Sequence, residues 1–202
     1  MTQPRLKSEL RGALGLFGDA SPFGGCFRHL VRAVRSTGLP HVFVGSVAVH
    51  LYGVGSHALD FHLCAASAER AKAKALVEHA GFVASPGKAW TVYDPATQLE
   101  AHFLASGEPA GDRFRYPEIR LPDPAEAVER EGVPVPTLER LLELCLVTGR
   151  LQDLAYAARL IRANGLDAAF AARLAPATRG AYLDCIARRI EEDETDPPRR
   201  DA

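Results

Sequence analysis

Asp60 and His62 stand two residues apart in Leu59-Asp60-Phe61-His62-Leu63, a run that alternates apolar and polar side chains. Successive side chains of an extended strand point to opposite faces, so this alternation projects Asp60 and His62 together and could set both on one ion. A third ligand has to come from a neighbouring strand. The best candidate is His102, in the run Leu99 to Leu104, where Glu100 shares its face. Two imidazoles and one carboxylate leave coordination positions open, and such a set suits one divalent transition metal such as Fe(II), Zn²⁺ or Mn²⁺. Mg²⁺ demands oxygen ligands and keeps several waters, so it is the less favoured ion. Glu100 could add a fourth ligand or act as general base, and His57 could also move protons. Cys64 is a weaker ligand candidate, because it lies a further ~6.6 Å along the strand.

The residues around this set read as its substrate-facing wall. His41-Val42-Phe43-Val44 is a short apolar strand that stops abruptly at Gly45-Ser46. Glycine lets a backbone approach a ligand closely, and the helix start that follows offers N–H groups to an anion, so Gly45 and Ser46 are expected to contact substrate. Lys88 and Trp90, with Tyr93 nearby, are expected to form a second substrate-binding edge. His50 and His57 flank the Gly-Ser loop. The open metal positions would take a small-molecule substrate, water or O₂.

Stepping outward from these residues, the hydrophobic periodicity predicts the elements that must hold them. Helices are expected over residues 3–17 and from about Phe27 to Gly38, with a loop over residues 18–25. A short helix over Val47–Tyr52 precedes the Asp60 strand, predicted over Ala58–Cys64. A helix over residues 67–80, opened by Ser67 and closed by Gly81, leads to a hairpin around Ser85-Pro86-Gly87 and then to the His102 strand. Residues 107–124 are Gly/Pro-rich and irregular, followed by an acidic helical turn and a strand at Val133–Val135. Four helices follow: one capped by Thr137, one over Leu151–Ala163, one over about Leu166–Leu174 and one over Arg179–Ile190. Strands first and helices after imply an α+β fold, a mixed sheet flanked by helices with a C-terminal helical subdomain. The expected division is an α/β core with N-terminal helices over residues 1–136, a helical subdomain over 137–190 and a disordered, charged tail over 191–202.

Composition narrows the function classes. The 202 residues carry 24 Lys+Arg against 25 Asp+Glu, so no global basic field exists for nucleic acid, which is not an expected partner. No apolar run approaches a membrane span, and the first residues show no signal-peptide core. The 4 cysteines, Cys26, Cys64, Cys145 and Cys185, lie far apart without a CxxC pair, which fits a thiol-reducing, cytoplasmic setting.

In order along the chain, these pieces resemble the nucleotidyltransferase fold, especially the bacterial minimal nucleotidyltransferases and the toxin-like AbiEii group. That pattern opens with a strand, Gly-Gly or Gly-Ser, a helix and an Asp-x-Asp strand, matched here by Val44-Gly45-Ser46-Val47-Ala48 and Leu59-Asp60-Phe61-His62-Leu63. The third carboxylate of the family opens a segment matched by His102-Phe103-Leu104-Ala105-Ser106-Gly107-Glu108. Gly132-Val133-Pro134-Val135, Leu138 to Leu146 and Gly149 to Ala155 follow the closing helices. The resemblance runs from about Val42 to Gly165 and implies a site at Asp60, His62 and His102. The family holds two Mg²⁺ ions on three carboxylates to align a nucleoside triphosphate; of these only Asp60 stands here, with His62 and His102 at the other two positions, so Mg²⁺ with a nucleoside triphosphate is the less favoured cofactor pair. Ser56 and Ala58 stand where the family has Arg and Thr, Cys145 where it has a Lys, and Tyr156 where it has a late Asp. Two readings follow besides a rewritten metalloenzyme: a non-catalytic, toxin-like binding protein acting through a protein partner, and a divergent nucleotidyltransferase.

Overall fold

The computed structural model describes residues 21–55, 60–111 and 115–195, with side chains up to residue 188. The helix expected over residues 3–17, and Ser56, His57 and Ala58, lie outside the described residues.

Helix α1 spans Pro22–Ser36 and starts inside the segment expected to be a loop. Its start is set by Ser21, whose hydroxyl accepts the Gly24 N–H at 3.0 Å, and by Pro22 in the first turn, where no N–H is needed. Strand β1 is His41–Val44, as the apolar run predicts, and Gly45 then turns the chain into the short helix α2, Ser46–Leu51. Strand β2 covers Asp60–Ala65. Helix α3 covers only Arg70–His79, because Ser67 does not cap it: residues 67–69 form a turn, and Glu69 is the cap residue without a side-chain bond. The hairpin follows as β3, Val83–Ala84, and β4, Thr91–Tyr93, and the His102 strand as β5, Glu100–Ala105.

These five strands form one sheet in the order β1-β2-β5-β4-β3. β2 and β5 are parallel, joined by the crossover through α3 and the hairpin; every other pairing is antiparallel. Asp60 pairs with Glu100 and His62 with His102, so the two polar-bearing strands are in register side by side at the middle of the sheet.

Beyond the sheet, a 3₁₀ turn at Pro124–Glu126 leads into a two-stranded ribbon, β6 (Val128–Arg130) and β7 (Val133–Val135). The pattern misses β6 because all of its side chains are exposed and carry no burial signal. Thr137 caps α4, Leu138–Val147, as expected, accepting the Arg140 N–H, and α5 spans Leu151–Ala163. The third expected helix is a 3₁₀ segment, Ala168–Arg173, opened by the Asp167 side chain. Helix α6 is longer than expected, Pro176–Thr195, so the first residues of the tail expected to be disordered continue it.

The same period-2 pattern that pairs the polar residues also builds the core. Phe61, Leu63, Ala101 and Phe103 leave β2 and β5 on one face and join Phe27 and Leu30 of α1, Phe43 of β1 and, in one continuous cluster, Leu141, Leu160 and Tyr182 of the C-terminal helices. The opposite face is covered only in part. Val42, Val44 and Cys64 meet Leu144 of α4 with Leu104 and Leu121 beside them, and the cover stops short of the Asp60 end of β2. Gly111 packs closely against the end of α4: a Cβ there would fall inside contact distance of the Val147 carbonyl oxygen. Among the described residues no helix is long and apolar enough to cross a membrane.

Candidate metal centre

The uncovered end of the sheet face holds Asp60, His62 and His102 together. One ligand atom from each lies within 4.8 Å of the other two. His62 Nδ1 stands 3.6 Å from Asp60 Oδ1, and His102 Nε2 stands 3.6 Å from Asp60 Oδ2, so the carboxylate sits between two imidazoles with one oxygen toward each. The two rings stack with centroids 4.8 Å apart, 24° from parallel. Both contacts to Asp60 exceed ordinary hydrogen-bond length, whereas ligands about 2.1 Å from a tetrahedral ion stand roughly 3.4 Å from one another. The two spacings to Asp60 are close to that value. No other group of three or more such residues occurs among the described residues.

Each of the three side chains is held by a specific local feature. Register across β2 and β5 brings the imidazoles face to face. Gly45 runs alongside His62 in a backbone conformation, φ 65° and ψ −140°, that side chains other than glycine's avoid, and a Cβ there would lie 3.5 Å from His62 Nδ1. The Ser46 hydroxyl reaches the Asp60 carbonyl oxygen at 3.4 Å. Gly45 and Ser46 thus sit against two of the ligands, where substrate contact was expected of them.

Thr91 is the residue the sequence pattern did not single out. It pairs with His102 across β4 and β5, is buried, and places Oγ1 3.0 Å from His102 Nδ1. With Nδ1 engaged there, Nε2 is the nitrogen that faces Asp60, and the ring orientation is fixed. The hairpin register held the clue: Thr91 lies directly opposite His102.

Glu100 reaches the site from the other side, with Oε2 3.6 Å from His102 Nε2. Lys88 donates to both Glu100 oxygens at 2.8 and 2.7 Å, and the Ser85 hydroxyl adds a longer bond at 3.3 Å. Lys88 is therefore brought to the site, though through Glu100. Trp90 is not: its ring lies under the Arg70 guanidinium of α3, 3.9 Å from the centroid.

Electrostatics favour ligand-ready protonation states. Asp60 is held below the usual carboxylate range, first by the His102 imidazole it faces, with His62 and Arg150 adding to this and burial opposing it. His62 is pushed below the ordinary imidazole value, first by burial, with His102 and Arg150 in the same sense and Asp60 and Asp153 opposing. A neutral imidazole and an ionised carboxylate are the forms that bind a metal. Arg150 and Asp153, at the start of α5, act on the site through their charges, and the sequence pattern gave them no role. Glu100 is held below the usual range chiefly by Lys88. Cys64 is fully buried in the second apolar cluster, and burial pushes its thiol up to about 12, which removes it as a thiolate ligand. Cys145 is likewise a core thiol at about 12, and Tyr156 is buried with its hydroxyl bonded to Gln152. Neither offers the cation or carboxylate that the nucleotidyltransferase pattern has at these positions.

No protein-family model matches the chain, and no curated protein matches it. Among solved structures, the chain is similar to the antibiotic-resistance factor ANT(2'')-Ia in solution, with 14% identity, 84% of this chain and 96% of that chain covered, and a TM-score of 0.49. No residue of this chain is assigned from that likeness.

Proposed function

We propose that this protein is a metal-dependent enzyme on a nucleotidyltransferase-like scaffold, in which Asp60, His62 and His102 hold one divalent transition metal and act on a small molecule. The observation that carries the reading is the placement of one carboxylate oxygen toward each of two imidazole nitrogens at 3.6 Å, in a half-exposed position. Two nitrogens and one carboxylate suit Fe(II), Zn²⁺ or Mn²⁺, and the loss of two of three oxygen ligands disfavours Mg²⁺. A metal held by Asp60, His62 and His102 would supply Lewis acidity and lower the pKa of a bound water.

The chain's own residues do the remaining work. Thr91 holds the His102 ring in the orientation that turns Nε2 to Asp60. Glu100, tied to Lys88, keeps a negative charge beside that ring. Glu100 becomes a proton acceptor when Lys88 turns from it onto an anionic group of the substrate; with Lys88 on both oxygens its proton affinity is low. His57 is a second proton carrier in this reading, on the segment between α2 and β2.

Metal analysis of untagged protein is the test. About one Fe, Zn or Mn per chain, lost in both His62→Ala and His102→Ala while the variants stay folded, is expected. A metal-free protein that also fails to bind these ions on titration contradicts the reading and returns the chain to the non-catalytic alternative. Transfer of labelled nucleotide to an acceptor with Mg²⁺ would instead favour the divergent nucleotidyltransferase.

A further inference from the structure

A second concave site lies away from the metal centre. It is an open groove of about 830 Å³ between α5 and α6, closed at one end by the last turn of α4 and by Arg115 and Tyr116. Its volume falls within the usual range for small-molecule sites, roughly 300–1,000 Å³.

The helix sequences create this space. Leu151, Leu154, Ala155 and Ala158 follow one another at helical spacing along one face of α5, and Ala181 faces them from α6. Alanines at 155, 158 and 181 leave unfilled the volume that larger apolar side chains would occupy between two packed helices. Leu151 is 87% exposed at this groove, a large aliphatic side chain left in solvent where the helix face is otherwise apolar.

The charge of the lining is one-sided. Among the described residues, Arg115, Arg159, Arg162 and Arg188 line the groove with one carboxylate, Asp184, in a chain whose formal net charge is −1. The four guanidiniums come from three different elements: a loop, α5 and α6. They stay charged at any physiological pH and match carboxylate and phosphate oxygens in bidentate geometry. A concave apolar floor rimmed by one sign of charge raises the local concentration of the opposite ion.

We infer that the α5–α6 groove is a binding site for an organic anion with an apolar body, its carboxylate or phosphate head on the guanidiniums and its hydrocarbon on the Leu154, Ala155, Ala158 and Ala181 floor. This site is separate from the metal centre and does not depend on it.

Calorimetric titration of the full chain, below the micelle concentration of each probe, tests this with four ten-carbon compounds: decanoate, decyl phosphate, decanol and decyltrimethylammonium. One saturable site per chain is expected for at least one of the two anions, and which of them binds identifies the head group. Decanol and the ammonium compound should bind about tenfold more weakly or worse, because they cannot form the charge-assisted bonds. Arg159→Ala with Arg188→Ala, both exposed positions, should weaken anion binding by about tenfold or more with unchanged circular dichroism. Ala158→Trp should remove binding by filling the floor. Asp60→Ala, which strips the metal centre, should leave it unchanged, so failure of the metal reading and failure of this one are distinguishable. Three results overturn the inference: no saturable anion binding, equal binding of the cationic probe, or a stable dimer in sedimentation whose interface is this groove.

Discussion

β2 and β5 present two faces built from alternate residues of the same two strands. On one, Phe61, Leu63, Ala101 and Phe103 are sealed in the core at 2% exposure or less. On the other, Asp60, His62, Glu100 and His102 stand at a half-open edge, with side-chain exposures from 23% to 42%. The inner face explains why the strands are where they are, since burying its aromatic rings drives the fold. The outer face contributes little apolar burial to folding: its two imidazoles and carboxylate stay partly exposed and have no hydrogen bond of ordinary length among them. A polar arrangement that buries so little apolar surface, yet is positioned so closely, has the character of a binding site.

Substitutions on the two faces should therefore separate cleanly. On the inner face, Phe61→Ala should cost about 3–5 kcal/mol of unfolding free energy by urea denaturation, from lost burial and a residual cavity. It should lower metal content only through unfolding. Smaller, and between the faces, is Gly45→Ala, expected to cost about 1–3 kcal/mol because alanine must adopt the strained conformation at this turn. Since Gly45 lies against His62, the same variant should also weaken metal binding, which a purely structural glycine elsewhere would not do. On the outer face, Thr91→Val keeps the shape of the side chain and removes its hydroxyl. It should weaken metal affinity by roughly 10–100-fold with little change in fold, and Thr91→Ser should restore part of it.

The smallest effect concerns pH. Asp60 and His62 both have folded-state pKa values below their ordinary ones. Each binds protons less readily folded than unfolded, so its contribution to stability is present above its unfolded pKa and is lost as pH falls through the folded one. For His62 that loss begins below about pH 6.5, and for Asp60 below about pH 4. His62→Gln should flatten the acid limb of stability against pH in its upper part, measured by thermal unfolding of the metal-free protein between pH 7 and pH 4. An unchanged limb would contradict the assigned direction for His62.

How legible this arrangement was in the sequence follows from the same contrast. Period-2 alternation around Phe61 and Phe103 is a burial signal, and it placed β2, β5 and their polar partners on the correct faces. The apolar run of β1, the Thr137 cap and the bounds of α5 were equally readable, because each is a local property of the chain. Elements without a burial pattern were not: β6 is exposed throughout, and the start of α1 rests on one serine hydroxyl and a proline inside a Gly/Pro-rich stretch. At the site, the grouping of Asp60, His62 and His102 could be read because its members are chemically distinctive. Thr91, Arg150 and Asp153 could not, since their roles depend on strand register and on where the start of α5 comes to lie. Trp90 shows the converse: one residue away from Thr91, it turns to Arg70 instead of the cluster. A strand's period assigns a face only when the register is known.

Anomalous X-ray diffraction from crystals of the full chain soaked with Zn²⁺ or Mn²⁺, recorded at the metal's absorption edge, tests the central claim most directly. The account predicts one dominant peak in contact with Asp60, His62 Nδ1 and His102 Nε2, at about 2.0–2.2 Å from each ligand atom, and its absence in His102→Ala. A metal-soaked crystal with no peak there, or with its strongest peak elsewhere while the three side chains stay as described, would contradict it.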